Sequence, residues 1–458
     1  MKSLRTITDF LNAYDEQHLL PEDVNDHTAR ALSAAKLPAA AHCFIHLNDN
    51  APQQAERAAA LGSPLGGIAI HIKDNFDVAG QVTTAGSKVL QGQAPATQDA
   101  TVVSRLKSAG AVILGRSNMS EFAYNATGTN PNYGSPSCAA DPLVQRISGG
   151  STSGGAVAVA LNIGWASIGT DTGGSVRIPA ALNGVVGWKP TASRMPMQGC
   201  YPLSPSLDSI GLITRNVADT ILIDDIMANS PTQWIERTCK GMRFIVPENF
   251  FLEGMDIQVQ NSFEAALNAL SQAGANIEMQ SLPSLEHIKN VVELQDLWRI
   301  PAYEAWCFHK IQQNSNGLEC LDFSGYDPRV TVFIQAGETV TAEQYAASVQ
   351  AQTQWAGILA AELSPYDALL SPTVPITAPV MQGILDSDEL FFKINNLLLR
   401  NPSIFNNANG CAISLPCHTD ELPVGLMLGH SHLKDGRVLT AARAVEKVLT
   451  HLRRPHQA

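Results

Sequence analysis

Ser175 closes the run Gly169-Thr170-Asp171-Thr172-Gly173-Gly174-Ser175, and upstream of it Gly149-Gly150-Ser151-Thr152-Ser153-Gly154-Gly155 sets a second serine in glycine-rich backbone. Lys73 stands further upstream. A serine hydroxyl is a poor nucleophile at neutral pH and needs a partner that takes its proton as it attacks. Two serine loops and a lysine suggest a relay without histidine, and the chemistry they suit is acyl transfer. A lysine acting as the final base must be neutral, and full burial lowers its reference pKa of about 10.4 by up to about 3–5 units. The isoleucine-rich stretch around Lys73 suits that desolvation, whereas Asp74 and Asp77, if close, would push the other way. The oxyanion formed on attack needs donors already aimed at it, and the backbone N–H groups around Thr172, Gly173, Gly174 and Ser175 are candidates. Glycine there permits unusual backbone angles and close approach of a substrate. A helix starting at Ser175 would add its positive dipole end.

The elements that must hold these residues are legible from periodicity. Ile68, Ile70 and Ile72 alternate with Ala69, His71 and Lys73, a strand that carries Lys73 at its C-terminal end. Val102, Val103, Leu106 and Ala109 share a helical face stopped by Gly110, and Ala111–Leu114 reads as the next strand. The spacing predicts a helix over Ser153–Leu161, a buried strand over Trp165–Ile168 and a helix start at Ser175. Later strands are read at Met242–Pro247, Tyr366–Pro372 and Leu422–Leu428, and a closing helix places Val438, Leu439, Ala442, Val445, Leu449 and Leu452 on one face. Alternating strands and helices predict an α/β fold: a single large domain with a central mixed, substantially parallel β-sheet covered by helices on both faces. Residues 1–60, rich in Ala, Glu, Asp and Gln, read as an N-terminal helical region packed on the catalytic domain of residues 61–458.

Composition narrows the function classes. With 458 residues, 45% hydrophobic and 16% charged, the chain is long enough for a large core. A net charge of −12 argues against nucleic acid as partner and for a small-molecule substrate. The eight cysteines include no C-x-x-C pair and read as small buried side chains in a reducing compartment. His42 and His46 lack the companions a metal site needs, so no metal is expected. Neither glycine loop ends in G-K-[ST] or forms G-x-G-x-x-G, which disfavours a nucleotide. The N-terminus has no apolar signal region and no long apolar span follows, so the expectation is a cytoplasmic protein without membrane contact.

Several motifs together resemble the amidase signature family of serine hydrolases. They are Pro64–Asp74, Ser117-Asn118-Met119-Ser120-Glu121-Phe122, both glycine loops, Ser175-Val176-Arg177-Ile178-Pro179-Ala180, Gly187–Thr191, Ser206–Gly211 and Leu422-Pro423-Val424-Gly425. The resemblance implies Ser175 as nucleophile, Ser151 as bridging serine after a cis Gly150–Ser151 bond, and Lys73 as base. It also implies that Asp171 and Arg177 brace the loop and that no cofactor is used. Ser153 rivals Ser151, and family register favours Ser151. Tyr124 matches a position that reaches the substrate pocket in relatives; a packed tyrosine is the plainer reading. The family contains stand-alone amidases and the glutamine-hydrolysing component of aminoacyl-tRNA amidotransferase complexes, and a homo-oligomer is left open for this chain. That component clamps glutamine with an arginine and an aspartate, and the matching positions here are Gln352 and Arg400, which favours a stand-alone enzyme acting on a small carboxamide. Arg400 either holds an acidic substrate group or braces the Arg400-Asn401-Pro402-Ser403 turn.

Overall fold

A computed structural model describes residues 6–16, 18–290, 294–315, 322–418 and 422–450. β-Branched and leucine-rich segments form the strands β1 (Phe44–Leu47), β2 (Ala69–Lys73), β3 (Val112–Ser117), β4 (Ala166–Asp171), β5 (Val186–Lys189), β6 (Ser209–Thr214), β7 (Arg243–Pro247), β8 (Asn276–Gln280), β9 (Ala368–Pro372), β10 (Cys411–Pro416) and β11 (Gly425–His430). They build one 11-stranded sheet in the order β1-β3-β2-β4-β6-β5-β10-β11-β9-β7-β8. The α/β architecture and mixed sheet are those expected. The parallel pairs form two blocks, β3-β2-β4 and β9-β7-β8. Antiparallel ladders from β4 through β6, β5, β10 and β11 to β9 join the blocks. The N-terminal residues supply the expected helices, Ile7–Asp15, Pro21–Ala34 and Ala51–Ala59, and also β1, which pairs antiparallel with β3 at the sheet edge.

Two-residue alternation sends Ile70 and Ile72 to one face of β2, and His71 and Lys73 to the other. The isoleucines join the main core with Val102, Val103 and Leu106 of helix Thr101–Ser108. Over the Lys73 face lies helix Ser153–Ala160, which begins just after Ser151. Its first turns are Gly154 and Gly155 because a side chain would not fit: a Cβ would stand 2.1 Å from the Cys43 carbonyl oxygen at Gly154, and 2.1 Å from Ser167 Oγ at Gly155. Close seating of this helix brings the bridging-serine loop down onto β2.

The closing helix Asp435–Leu449 buries Val438, Leu439, Ala442, Val445 and Leu449 as its pattern predicts; Leu452 lies outside the described residues. Each of these valines and leucines contributes about 1.5–3 kcal/mol on burial, which seats the helix on β10 and β11. Cys43, Cys138, Cys239 and Cys411 are free and buried, packing as small apolar groups; Cys320 lies outside the described residues. Among the described residues, no helix is long and apolar enough to cross a membrane.

Candidate active site

Lys73, at the end of β2, is fully buried, and its Nζ lies 2.7 Å from Ser151 Oγ, 3.0 Å from Thr170 Oγ1 and 3.3 Å from the Thr170 carbonyl oxygen. Burial pulls its pKa down to about 7, outweighing the opposing pull of Asp171, Asp208 and Cys200. The neighbouring carboxylates named from sequence are occupied elsewhere. Asp74 accepts from Arg116 Nε at 2.5 Å, from Thr84 and from the Gly86 N–H, and Asp77 accepts from Thr83 Oγ1 at 2.7 Å. A neutral amine has two N–H groups and one lone pair. Thr170 can take both N–H groups, leaving the lone pair facing the Ser151 hydroxyl. Asn75 fixes Thr170 in turn, donating from Nδ2 to its Oγ1 at 3.0 Å.

Ser151 follows a cis Gly150–Ser151 bond, as the family resemblance implies. Its rival Ser153 points away, with Oγ donating to the Asn118 carbonyl at 3.4 Å. The Thr152 N–H donates to the Ser175 carbonyl at 3.1 Å, which stitches the two serine loops together. Ser175 sits between the end of β4 and helix Arg177–Asn183, which starts two residues later than the pattern predicts.

Asp171 anchors this loop. Its carboxylate accepts from the Gly174 N–H at 2.8 Å, the Val176 N–H at 3.1 Å, Arg177 Nε at 3.1 Å and Nη2 at 2.9 Å, and Asn406 Nδ2 at 2.9 Å. Burial opposes its charge, yet Arg177 beside it holds the carboxyl well below the usual carboxylate range. The Gly174 N–H is thus drawn inward to Asp171. Among the described residues, no protein acceptor takes the N–H groups of Thr172, Gly173 or Ser175. Those three N–H groups lie in the segment that mounts Ser175, whereas the Gly174 N–H is already engaged. Gly174 adopts φ +126°, and a Cβ there would lie 2.6 Å from Pro402 Cβ and 2.7 Å from Ile178 Cδ1. Only glycine meets both demands.

Tyr124 comes to the same region, its ring stacked on Phe333 at 6.2 Å and its hydroxyl buried without a hydrogen-bond partner among the described residues. Sequence reasoning gave no role to Thr170, Asn75 and Asp208. Asp208 accepts from Thr172 Oγ1 at 2.5 Å and from the Leu203 and Ser204 N–H groups, and burial pushes its carboxyl up to about 6. Asp208 lay within the matched Ser206–Gly211 motif and Thr170 within the nucleophile run, so their positions were visible although their contacts were not.

A family model described as Amidase matches residues 26–439. The chain belongs to the amidase family. It is 33% identical over 466 residues to the indoleacetamide hydrolase of Allorhizobium ampelinum, covering 98% of this chain and 99% of that protein. It is 32% identical over 439 residues to the A subunit of the glutamyl-tRNA(Gln) amidotransferase of Exiguobacterium sibiricum, covering 88% of this chain and 89% of that one. Among solved structures, one described as an amidase aligns with TM-score 0.83 at 30% identity, covering 96% of this chain and 99% of that one. Hydrolysis of C–N bonds is accordingly the activity class of this amidase.

Both branches of the family are represented among these relatives, so the positions that separate them matter. In this amidase Gln352 donates from Nε2 to Asn407 Oδ1 at 3.0 Å. Arg400 donates from Nε to Asn401 Oδ1 at 3.0 Å and from Nη2 to the Phe251 carbonyl at 3.2 Å, and its guanidinium lies over the Phe250 ring at 5.9 Å. The Arg400 carbonyl accepts from Ser403 Oγ at 3.1 Å. These contacts tie Arg400 to its own turn and to the Phe250–Phe251 segment.

Proposed function

We propose that this amidase acts alone, hydrolysing a small carboxamide to a carboxylate and ammonia or an amine through an acyl-enzyme on Ser175. Neutral Lys73 draws the proton of Ser151, Ser151 draws that of Ser175, and the Ser175 oxygen attacks the amide carbon. The developing oxyanion meets the N–H groups of Thr172, Gly173 and Ser175, donors fixed before the substrate arrives and therefore free of reorganisation cost. The proton held on Lys73 returns through Ser151 to the leaving nitrogen as the C–N bond breaks. Water then attacks the ester carbonyl, gives its proton to the same relay and releases the acid, with Ser175 recovering its hydrogen.

The observation that carries this reading is the 2.7 Å contact between Lys73 Nζ and Ser151 Oγ in a site buried enough to hold the lysine pKa at about 7. A base needs a substantial neutral fraction near the working pH, and this one has it. Stand-alone action is supported by the engagement of Gln352 and Arg400 in structural hydrogen bonds, which leaves no arginine–aspartate clamp for glutamine at those positions. The test is an ammonia-release screen of the isolated chain over aliphatic, aromatic, amino-acid and ureido amides. Turnover is expected without added partners, and Ser175→Ala should reduce it on the order of 10³-fold or more. Release from glutamine that appears only with the other amidotransferase components added would replace this reading with a role inside that complex.

A further inference from the structure

The nucleophile loop is flanked by two unlike walls. On one side a Cβ at Gly173 would lie 3.2 Å from Leu399 Cδ2. Phe333, which stacks on Tyr124, meets Phe392 edge to face at 5.5 Å. Leu399, Phe333 and Phe392 are only partly buried, so this apolar wall keeps surface free beside the reacting serine.

The other side is acidic. Asp208 touches Thr172, the first residue of the donor loop, at 2.5 Å. Glu304, from helix Leu294–Ser315, reaches the segment that carries Asp208, accepting from Ser204 Oγ at 2.6 Å and the Ser206 N–H at 3.1 Å, and from the Tyr345 hydroxyl at 2.6 Å. The charge of each carboxylate is felt at the Tyr124 hydroxyl, and that of Asp208 also at Lys73. Of the cations named around the loop, Arg177 is matched by Asp171 and Lys73 is neutral when it works as a base. Arg400 keeps its charge but directs it to Asn401, the Phe251 carbonyl and the Phe250 ring.

Resting on the reading of Ser175 as nucleophile, we propose that Glu304 and Asp208 make this amidase selective for uncharged or amine-bearing amides with an aryl-sized acyl group, and against amides that carry a carboxylate. Tyr124, whose hydroxyl has no partner among the described residues, supplies the polar contact on the aromatic side. One unfavourable charge pair at roughly 10 Å and an effective dielectric near 20 amounts to about tenfold in rate.

Three arylsulfonyl fluorides of matched size test this: benzenesulfonyl fluoride, its 4-carboxy derivative and its 4-(2-aminoethyl) derivative. Each reacts by forming a bond from Ser175 Oγ to sulfur as fluoride leaves, the serine proton passing through Ser151 to Lys73. Labelling rates at Ser175 are read by peptide mass spectrometry on the full chain and corrected for each probe's hydrolysis in buffer. The carboxylate probe should label about tenfold or more slower than the aminoethyl probe, and Glu304→Gln should narrow that ratio several-fold. Equal wild-type rates, or a faster carboxylate probe, would overturn the selectivity whether or not the variant folds. A ratio unchanged in folded Glu304→Gln would remove Glu304 from it. Failure of all three probes to label Ser175 would instead count against the nucleophile assignment.

Discussion

Replacing Lys73 by methionine should abolish activity and stabilise the protein at neutral pH. The wild-type lysine has its pKa lowered from 10.5 to about 7 by burial, so between those values the unfolded chain binds a proton that the folded chain does not. Wild-type stability therefore rises with pH across that window, and the full penalty of burying the amine applies at and below about pH 7. At about 1.4 kcal/mol per pH unit the penalty is about 5 kcal/mol. Methionine removes it but gives up the contacts with Ser151 and Thr170, about 1 kcal/mol for each of the three or about 3 kcal/mol together. The variant should then be about 2 kcal/mol more stable than wild type at pH 7 and below, match it near about pH 8.4, and be about 3 kcal/mol less stable by about pH 10.5. Urea unfolding of both proteins followed by tryptophan fluorescence from pH 6 to 10 measures the difference. A difference that stays flat over this range, or moves in the opposite direction, would show that Lys73 is not held neutral by the fold.

Other substitutions probe the loop that mounts Ser175. Arg177→Met leaves the buried Asp171 carboxylate without its counter-charge and should cost about 3–5 kcal/mol, measured by urea unfolding. Gly174→Ala places a Cβ 2.6 Å from Pro402 at φ +126° and should lower stability by about 1–3 kcal/mol while suppressing labelling of Ser175 more than global unfolding accounts for. Ser151→Ala should be milder than Ser175→Ala, because water can partly bridge the relay. A loss of only a few-fold in kcat/KM would take Ser151 out of the proton path.

Much of this site is written in local pattern. The alternation Ile68–Lys73 placed Lys73 at a strand end, and the small residues after Ser151 and before Ser175 announced loops entering helices, since such positions demand close backbone approach. The identity of the groups around Lys73 was not legible, because it depends on strands brought side by side from distant sequence: β4 carries Thr170 to Lys73, and the loop before β6 carries Asp208 to Thr172. The edge strand β1 escaped notice for a similar reason. Phe44–Leu47 is four residues long and reads as a strand only because β3 offers it a partner. The arrangement of parallel pairs in two outer blocks likewise follows from long-range pairing that periodicity does not encode. The hydrogen bond from the Gly174 N–H to Asp171 was likewise not legible in the local pattern.

Attack by Ser175 with a neutral lysine behind it is read most directly from the pH dependence of fluorophosphonate labelling in wild type and Lys73→Arg. Arginine keeps its charge at any usable pH, so it preserves a cation while removing a base. A label on Ser175 alone is expected, at a rate rising with pH to half its maximum near about pH 7 as Lys73 deprotonates, with no comparable labelling in Lys73→Arg. A label on Ser151 or Ser153, or wild-type rates in the arginine variant, would contradict it.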